Sequence, residues 1–458
     1  MKPATLRDAA RAIGAALHVE AEGAEIRGAA TDSRAVREGD LFFALQGRAD
    51  GADFAVDAMR RGAVAAVASR PLSVPTLVVE DPLVALQGLA RWSLRCLRTE
   101  APTVVGITGS IGKTTTKDAL SAVLRATGTR VSATVGNLNN EIGLPLTVLA
   151  APTNTEVLVL EMGATHVGNI AELCRISPPD HGILTAIAPA HLESFGSLQA
   201  LAATKGELAA SLPPEGTFVS PAGVPDAAIA PGRQLAGRIV FSKNRDHADL
   251  WASDFDEDEN GLRFTAHLED RSAVVRSPVF GTHLVEPLLA AMGGAVALGV
   301  DLEDAARGVA RLKRTGMRGD VYRLREDIVV YDDSYNAASP PSMAAVLRYA
   351  AEAASRQDRR LVVVLGGMFE LGPGARAYHR EIGTLADELG VGLLACVGDE
   401  ARWYAETFSG KTLYFPDAGS AVEIRDELRP GDYLIVKGSR GVGLDTLTRQ
   451  LKESLALV

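Results

Sequence analysis

Thr108-Gly-Ser-Ile-Gly-Lys-Thr-Thr115 is the stretch from which the rest of the chain is read. Before it, Thr103-Val-Val-Gly-Ile107 is a short apolar run rich in β-branched residues. After it, Lys113–Thr127 has amphipathic helical spacing. A strand, a glycine turn and a helix in that order let backbone N–H groups close around phosphate oxygens. The helix N-terminus adds its partial positive charge. Gly109, Ser110, Ile111, Gly112, Lys113, Thr114 and Thr115 are therefore candidates to cradle a nucleoside triphosphate. Lys113 would reach the β and γ phosphates, and the Thr114 hydroxyl would ligate Mg²⁺. The usual first glycine of such a loop is replaced by Ile107, with Gly106 one residue earlier.

Working outward, Val157–Met162 and Gly182–Ile187 are continuous apolar runs of the buried parallel-strand type. They alternate with helical patterns at Leu198–Leu212 and Pro287–Leu298, which predicts a doubly wound α/β core. Ala248–Arg276 is more polar and alternating, and reads as antiparallel strands at one edge. Residues 1–83 read as a small mixed α/β domain. It has a helix at Thr5–Leu17 and strands at Asp40–Leu45, Val64–Ala68 and Thr76–Val79. A helical stretch, Leu83–Arg98, joins it to a central P-loop domain, 84–314. The connector Lys313–Gly319 opens a third, Rossmann-like unit, 315–458. Its strands are Ile328–Tyr331, Leu361–Leu365, Leu393–Val397 and Tyr433–Val436, with helices around 342–355, 376–389 and 419–428. The predicted class is α/β in three domains.

The 458 residues carry 47 Lys and Arg against 57 Asp and Glu, a net charge of -10. Such a surface repels phosphate backbones and anionic lipids, and no basic run offsets it. Nucleic acid and membrane are therefore not expected partners; small-molecule substrates are. Cys96, Cys174 and Cys396 are too scattered for a metal site or a disulfide scaffold. No secretory h-region and no uninterrupted apolar span appear, so a cytoplasmic protein, working as a monomer, is expected.

The loop implies a nucleotide but not a reaction, which downstream residues must decide. Glu161 ends a buried strand in Leu160-Glu-Met-Gly-Ala164, a natural place for a Mg²⁺ carboxylate at the carboxyl edge of a sheet. His191, in Ala190-His-Leu-Glu-Ser-Phe-Gly196, would by itself read as a loop histidine. Lys205, in Thr204-Lys-Gly-Glu207, would read as an exposed helix lysine.

Taken together, the loop, Asn137-Leu-Asn-Asn-Glu-Ile-Gly-Leu-Pro145, the EMGA turn, AHLESFGS and TKGE resemble the Mur ligase family in order and spacing. These are ATP-dependent amide-bond ligases of cell-wall peptide synthesis. The resemblance covers essentially the whole chain. It implies Lys113 on the ATP phosphates, Thr114 and Glu161 on one Mg²⁺, His191 on a second, and a carbamylated Lys205. A lysine ammonium would repel Mg²⁺, whereas its CO₂ adduct is an anion with two oxygens. Asn137 and Asn140 would lie near the phosphates and the acyl substrate.

The first domain contains Thr31-Asp-Ser-Arg34, Gly39–Gly47 and Asp50-Gly-Ala-Asp-Phe54, which read from the residues alone as a turn, a strand and a turn. They resemble the family's uridine-diphosphate docking domain, where Ser33 and Arg34 would meet the nucleotide sugar. In the third domain, Tyr331–Ala337, Gly366–Gly372 and Val436–Gly441 resemble the family member that adds D-alanyl-D-alanine to UDP-N-acetylmuramoyl-tripeptide. That resemblance implies Asp333 on the ATP ribose, Arg318 near the phosphates and Asn336 near the dipeptide. The Asp-Asn-Pro-Arg segment of diaminopimelate-adding members is absent. Pro287 stands where the family has an adenine-contacting Asn, Gly367 where it has an Asp, and Ala52 where it has a His. The alternatives are a ligase adding diaminopimelate, lysine or a folate glutamate, and a nucleotide-binding scaffold without turnover.

Overall fold

A computed structural model describes residues 3–18, 23–98, 102–189, 192–229, 234–258, 260–313, 316–335 and 339–455. Three large sheets organise the described residues, beside a two-stranded pair of Ala4–Thr5 with Glu25–Ile26. The first has five strands between Ala16 and Val78, and a helix, Leu6–Ile13, lies beside it. The predicted helix at Thr5–Leu17 is shorter than expected. Gly14 takes a left-handed conformation (φ 66°) that closes it, and Ala16–His18 turns into a strand.

The helix Pro82–Arg98 is more than a connector. Its Leu86, Leu89, Ala90 and Leu94 share one core with Leu6, Ile26 and Phe43 of the first unit and with Leu144, Leu173 and Leu208 of the central one. Burying such side chains gives roughly 25 cal/mol per Å² of apolar surface, so this core ties the two units together.

The central sheet has nine strands. From one edge the order is Arg271–Ser277, Gly261–Leu268, Leu250–Asp258, Gly237–Ser242, Thr217–Pro221, His181–Leu184, Thr103–Thr108, Val157–Glu161 and Val131–Ala133. Pairing is parallel through the middle and antiparallel only among the three strands of the 250–277 edge, as the alternation there predicted. The strand expected at Gly182–Ile187 stops at Leu184, because the chain then bends under the phosphate loop. Helices Lys113–Ala126 and Val285–Ala297 cover one face, whose core runs from Val105 and Leu120 to Leu288 and Met292. Helix Leu198–Ser211 covers the other.

Helix Leu198–Ser211 is threaded tightly. Gly206 approaches Ala227 so closely that an added Cβ would fall 2.1 Å from its carbonyl oxygen. Gly→Ala inside a helix ordinarily gains about 1 kcal/mol. Here overpacking of roughly 1–3 kcal/mol should outweigh that gain. Gly206→Ala is therefore expected to lower the denaturant midpoint at unchanged m-value, and an unchanged or raised midpoint would show that the backbone contact yields freely.

The third sheet has six strands, in the order Asp320–Arg323, Val329–Asp333, Tyr433–Lys437, Leu361–Gly366, Leu393–Val397 and Thr412–Phe415, parallel except for the first. Helices Pro340–Arg356 and Ala375–Glu388 pack on it. The segment expected as an α-helix at 419–428 is instead a 3₁₀ helix, Ser420–Glu427, and a further helix, Asp445–Ser454, follows the last strand.

Candidate active site

The carboxyl ends of the central and third sheets face each other across a cavity of about 520 Å³. Its central-domain wall begins with the phosphate loop. Gly109 (φ 148°) and Gly112 (φ 84°) have backbone angles that disfavour side chains, and a Cβ on Gly109 would fall 2.0 Å from Thr185 Oγ1. The loop is braced from behind. Ser110 N–H donates to Ala186 O (2.8 Å), Thr185 Oγ1 donates to Ile111 O (2.5 Å), and Ala188 N–H donates to Ser110 Oγ (3.1 Å). Thr108 Oγ1 donates to Met162 O (2.8 Å), tying the loop's strand to the turn after Glu161.

Lys113 opens the helix Lys113–Ala126, and its ammonium donates to Gly109 O (2.7 Å) and Ser110 O (3.3 Å). Burial holds its pKa below the usual lysine range and the Arg318 charge adds to that, while the Glu161 carboxylate opposes it. Glu161 is 2% exposed, and both donors to its carboxylate are neutral: Thr114 Oγ1 at 2.9 Å and Asn139 Nδ2 at 2.7 Å. A buried carboxylate beside a hydroxyl, with no ion pair among the described residues, is a set of hard oxygen donors suited to Mg²⁺. Asn139 is a residue that sequence reading passed over, although it lies between the two asparagines it singled out. Asn140 turns its Oδ1 to the N–H groups of Ile142 (3.3 Å) and Gly143 (2.9 Å), and with Asn137 it lines the cavity.

Lys205 is 2% exposed, not the surface lysine that its helical position alone suggested. Burial pushes its pKa well below the ordinary value and the neighbouring Lys113 charge adds to this, with Glu207 and Glu161 opposing. The Glu207 carboxylate caps another helix instead, accepting from Gly168 N–H (3.0 Å) and Ala171 N–H (2.9 Å). His191 and Asn336 lie outside the described residues.

The third domain supplies the opposite wall. Asp333 and Lys437 sit opposite each other in parallel register, and Lys437 Nζ donates to Asp333 Oδ2 in a buried ion pair. Tyr335 lies under two guanidinium groups, Arg318 at 5.1 Å and Arg440 at 4.0 Å from its ring centre. Pro287 also lines the cavity, in the first turn of its helix. A Cβ on Gly112 would meet its ring at 3.1 Å, and its carbonyl accepts from Thr116 Oγ1 (3.1 Å). It therefore supports the loop by packing, where an asparagine would offer an amide.

Ser110, Ile111, Gly112, Lys113, Thr114, Thr115, Asn137, Asn140, Glu161, Lys205, Arg318 and Asp333 thus converge on one cavity. Ser33 and Arg34 do not line it. They form a short turn in the first domain, Ser33 buried and Arg34 exposed and paired to Asp32 Oδ2 at 2.7 Å. Among the described residues no helix is long and apolar enough to cross a membrane.

Three family models match the chain in sequence. The Mur ligase family catalytic domain matches residues 25–87, the Mur ligase middle domain 107–295, and the Mur ligase glutamate ligase domain 317–440. A UDP-N-acetylmuramoyl-tripeptide–D-alanyl-D-alanine ligase of Mycobacterium tuberculosis is 38% identical, over 92% of this chain and 91% of its own. The crystal structure of MurF from Acinetobacter baumannii superposes with a TM-score of 0.87 at 29% identity, covering 99% of both chains. The MurF ligase from Thermotoga maritima in complex with ADP superposes at 0.80 with 31% identity, covering 93% of this chain and 98% of that one.

Proposed function

The chain belongs to the Mur ligase family, and from that premise we propose that it joins D-alanyl-D-alanine to UDP-N-acetylmuramoyl-tripeptide, using ATP. The observation that carries this is likeness along the whole chain, third domain included, to ligases of that activity. A phosphate loop alone would leave the reaction open.

In the proposed reaction a terminal carboxylate oxygen of the tripeptide bonds to the γ-phosphorus of ATP. The β–γ bridging bond breaks and ADP leaves. The dipeptide amine then attacks the acyl phosphate, its C–N bond forms, the C–O bond to phosphate breaks, and the amine gives up a proton. Lys113 would neutralise charge spreading over the transferring phosphoryl oxygens, with Arg318 facing it from the connector. Thr114 and Glu161 would hold one Mg²⁺, with Asn139 fixing the second carboxylate oxygen, and His191 would hold a second ion. When bound, such ions supply Lewis-acid stabilisation of phosphoryl charge. Asn137, Asn140 and the backbone of Gly109, Ser110, Ile111, Gly112 and Thr115 would bind the phosphates. Asp333 would take the ribose, held in place by Lys437. Asn336 would lie by the dipeptide.

Ser33 and Arg34 would dock the nucleotide sugar on the first domain. Domain limits of 1–83, 84–314 and 315–458 are supported by the three large sheets, one within each, and we take the protein to act as a cytoplasmic monomer. The cavity between the second and third domains would exclude water from the acyl phosphate, which hydrolyses if exposed.

A panel of amine acceptors tests the reading. With ATP, Mg²⁺ and UDP-N-acetylmuramoyl-tripeptide, ADP release is expected with D-Ala-D-Ala and not with diaminopimelate, lysine or glutamate. Stimulation by diaminopimelate alone would overturn the choice of acceptor, and ATP binding without turnover under every condition would leave a scaffold.

A further inference from the structure

We infer that Arg440 and Phe369 form the subsite for the carboxyl-terminal residue of the incoming dipeptide, the guanidinium taking the carboxylate and the ring the methyl group. The inference rests on the D-alanyl-D-alanine reading above. That substrate has two ends with opposite demands. Its amine must reach the acyl carbon near the phosphate loop, and its carboxylate must be held away from that centre by a cation.

Among the described residues, Arg318, Lys437 and Arg440 are the cations of the third-domain wall, and the proposed reaction gives Arg318 to the phosphates. Lys437 is buried and committed to Asp333. Arg440 lines the cavity, its side chain 53% exposed, and its Nη1 reaches Asp445 Oδ2 at 3.3 Å. The ring of Tyr335 lies 4.0 Å from its guanidinium, a contact that restrains the fork, and Nη2 is not the nitrogen engaged by Asp445. A guanidinium with a restrained plane binds a carboxylate in two parallel hydrogen bonds at smaller entropic loss than a free one.

The neighbouring loop is built to the same end. Ser439 N–H donates to Gly367 O (3.1 Å), and Phe369 N–H donates to Ser439 Oγ (3.0 Å), so the loops carrying Phe369 and Arg440 are laced together. Phe369 packs so close to Gly441 that a Cβ there would fall 2.9 Å from the ring, yet the residue stays 40% exposed and lines the cavity. A large apolar ring left open beside a cation suits a small aliphatic side chain next to a carboxylate.

The test compares D-Ala-D-Ala with its carboxyl-terminal amide, in which the negative charge is removed and the amine kept. Wild-type enzyme is expected to prefer the acid by about 30-fold or more in kcat/KM, and Arg440→Gln to reduce that preference below about threefold. The KM for ATP should stay unchanged, and Arg440→Lys should recover part of the preference. Thermal unfolding of each variant would verify the fold. Retention of the full acid-over-amide preference in Arg440→Gln would overturn the assignment while leaving the ligase reading intact. Absence of wild-type turnover with D-Ala-D-Ala, but turnover with another amine, would overturn both.

Discussion

Lys113→Ala is expected to cut ligation by about 10³-fold or more while leaving the fold in place. The side chain is partly buried and points back at Gly109 O and Ser110 O. Its removal therefore loosens the loop slightly and should not unfold a domain. What it removes, in the proposed reaction, is the positive charge that would face the developing phosphoryl charge. Losing one preorganised electrostatic group of this kind typically lowers turnover by 10²–10³, and a phosphoryl-clamping cation is worth 10³–10⁵. The measurement is ADP release under saturating D-Ala-D-Ala and UDP-N-acetylmuramoyl-tripeptide, with thermal unfolding alongside. Turnover within about tenfold of wild type would remove Lys113 from the chemistry. Lys113→Arg is a sharper version. It keeps a charge, but its longer planar head cannot sit between the two loop carbonyls, so little recovery is expected.

How far the sequence reached depends on the range of the interaction. The loop, its strand and its helix are local, and Gly109, Gly112 and Lys113 could be placed from spacing alone. The antiparallel edge at 250–277 was also legible, because alternation has a period of two whatever the partner strand. Pairings across strands were not. Asp333 and Lys437 lie 104 residues apart, and only the parallel register of their strands makes them a pair. Asn139 reaches Glu161 through a turn whose direction no propensity encodes. The helix Leu6–Ile13 was overrun because alanine-rich periodicity continues past Gly14, whose left-handed backbone ends it. Lys205 shows the same limit in burial. A lysine on an amphipathic helix reads as solvated, and only the packing of that helix against the sheet puts its amine inside.

Lys205→Met is expected to abolish ligation and at the same time to stabilise the protein. A buried lysine with a depressed pKa binds fewer protons folded than unfolded in the window between its folded pKa and about 10.4. In that window stability rises with pH. Below it, the cost of keeping a charge in a desolvated site next to Lys113 is fully present. Methionine fills similar volume without the charge. In ligand-free, CO₂-depleted buffer the variant should gain about 1 kcal/mol near pH 6, read as a Tm rise of about 2–4 °C for a domain of this size. The gain should shrink towards pH 9. The same depressed pKa would favour the carbamylation that the likeness to the family implies. Only a neutral amine attacks CO₂, forming the N–C bond and releasing a proton, and an unshifted lysine at pH 7.4 would be neutral in only about one molecule in a thousand. The resulting carbamate would turn repulsion of Lys113 into attraction and supply two further oxygens beside Glu161. Wild-type turnover is accordingly expected to fall in CO₂-depleted buffer and to return with bicarbonate. Turnover indifferent to bicarbonate, with Lys205→Met still inactive, would keep the lysine in the site but as a free amine.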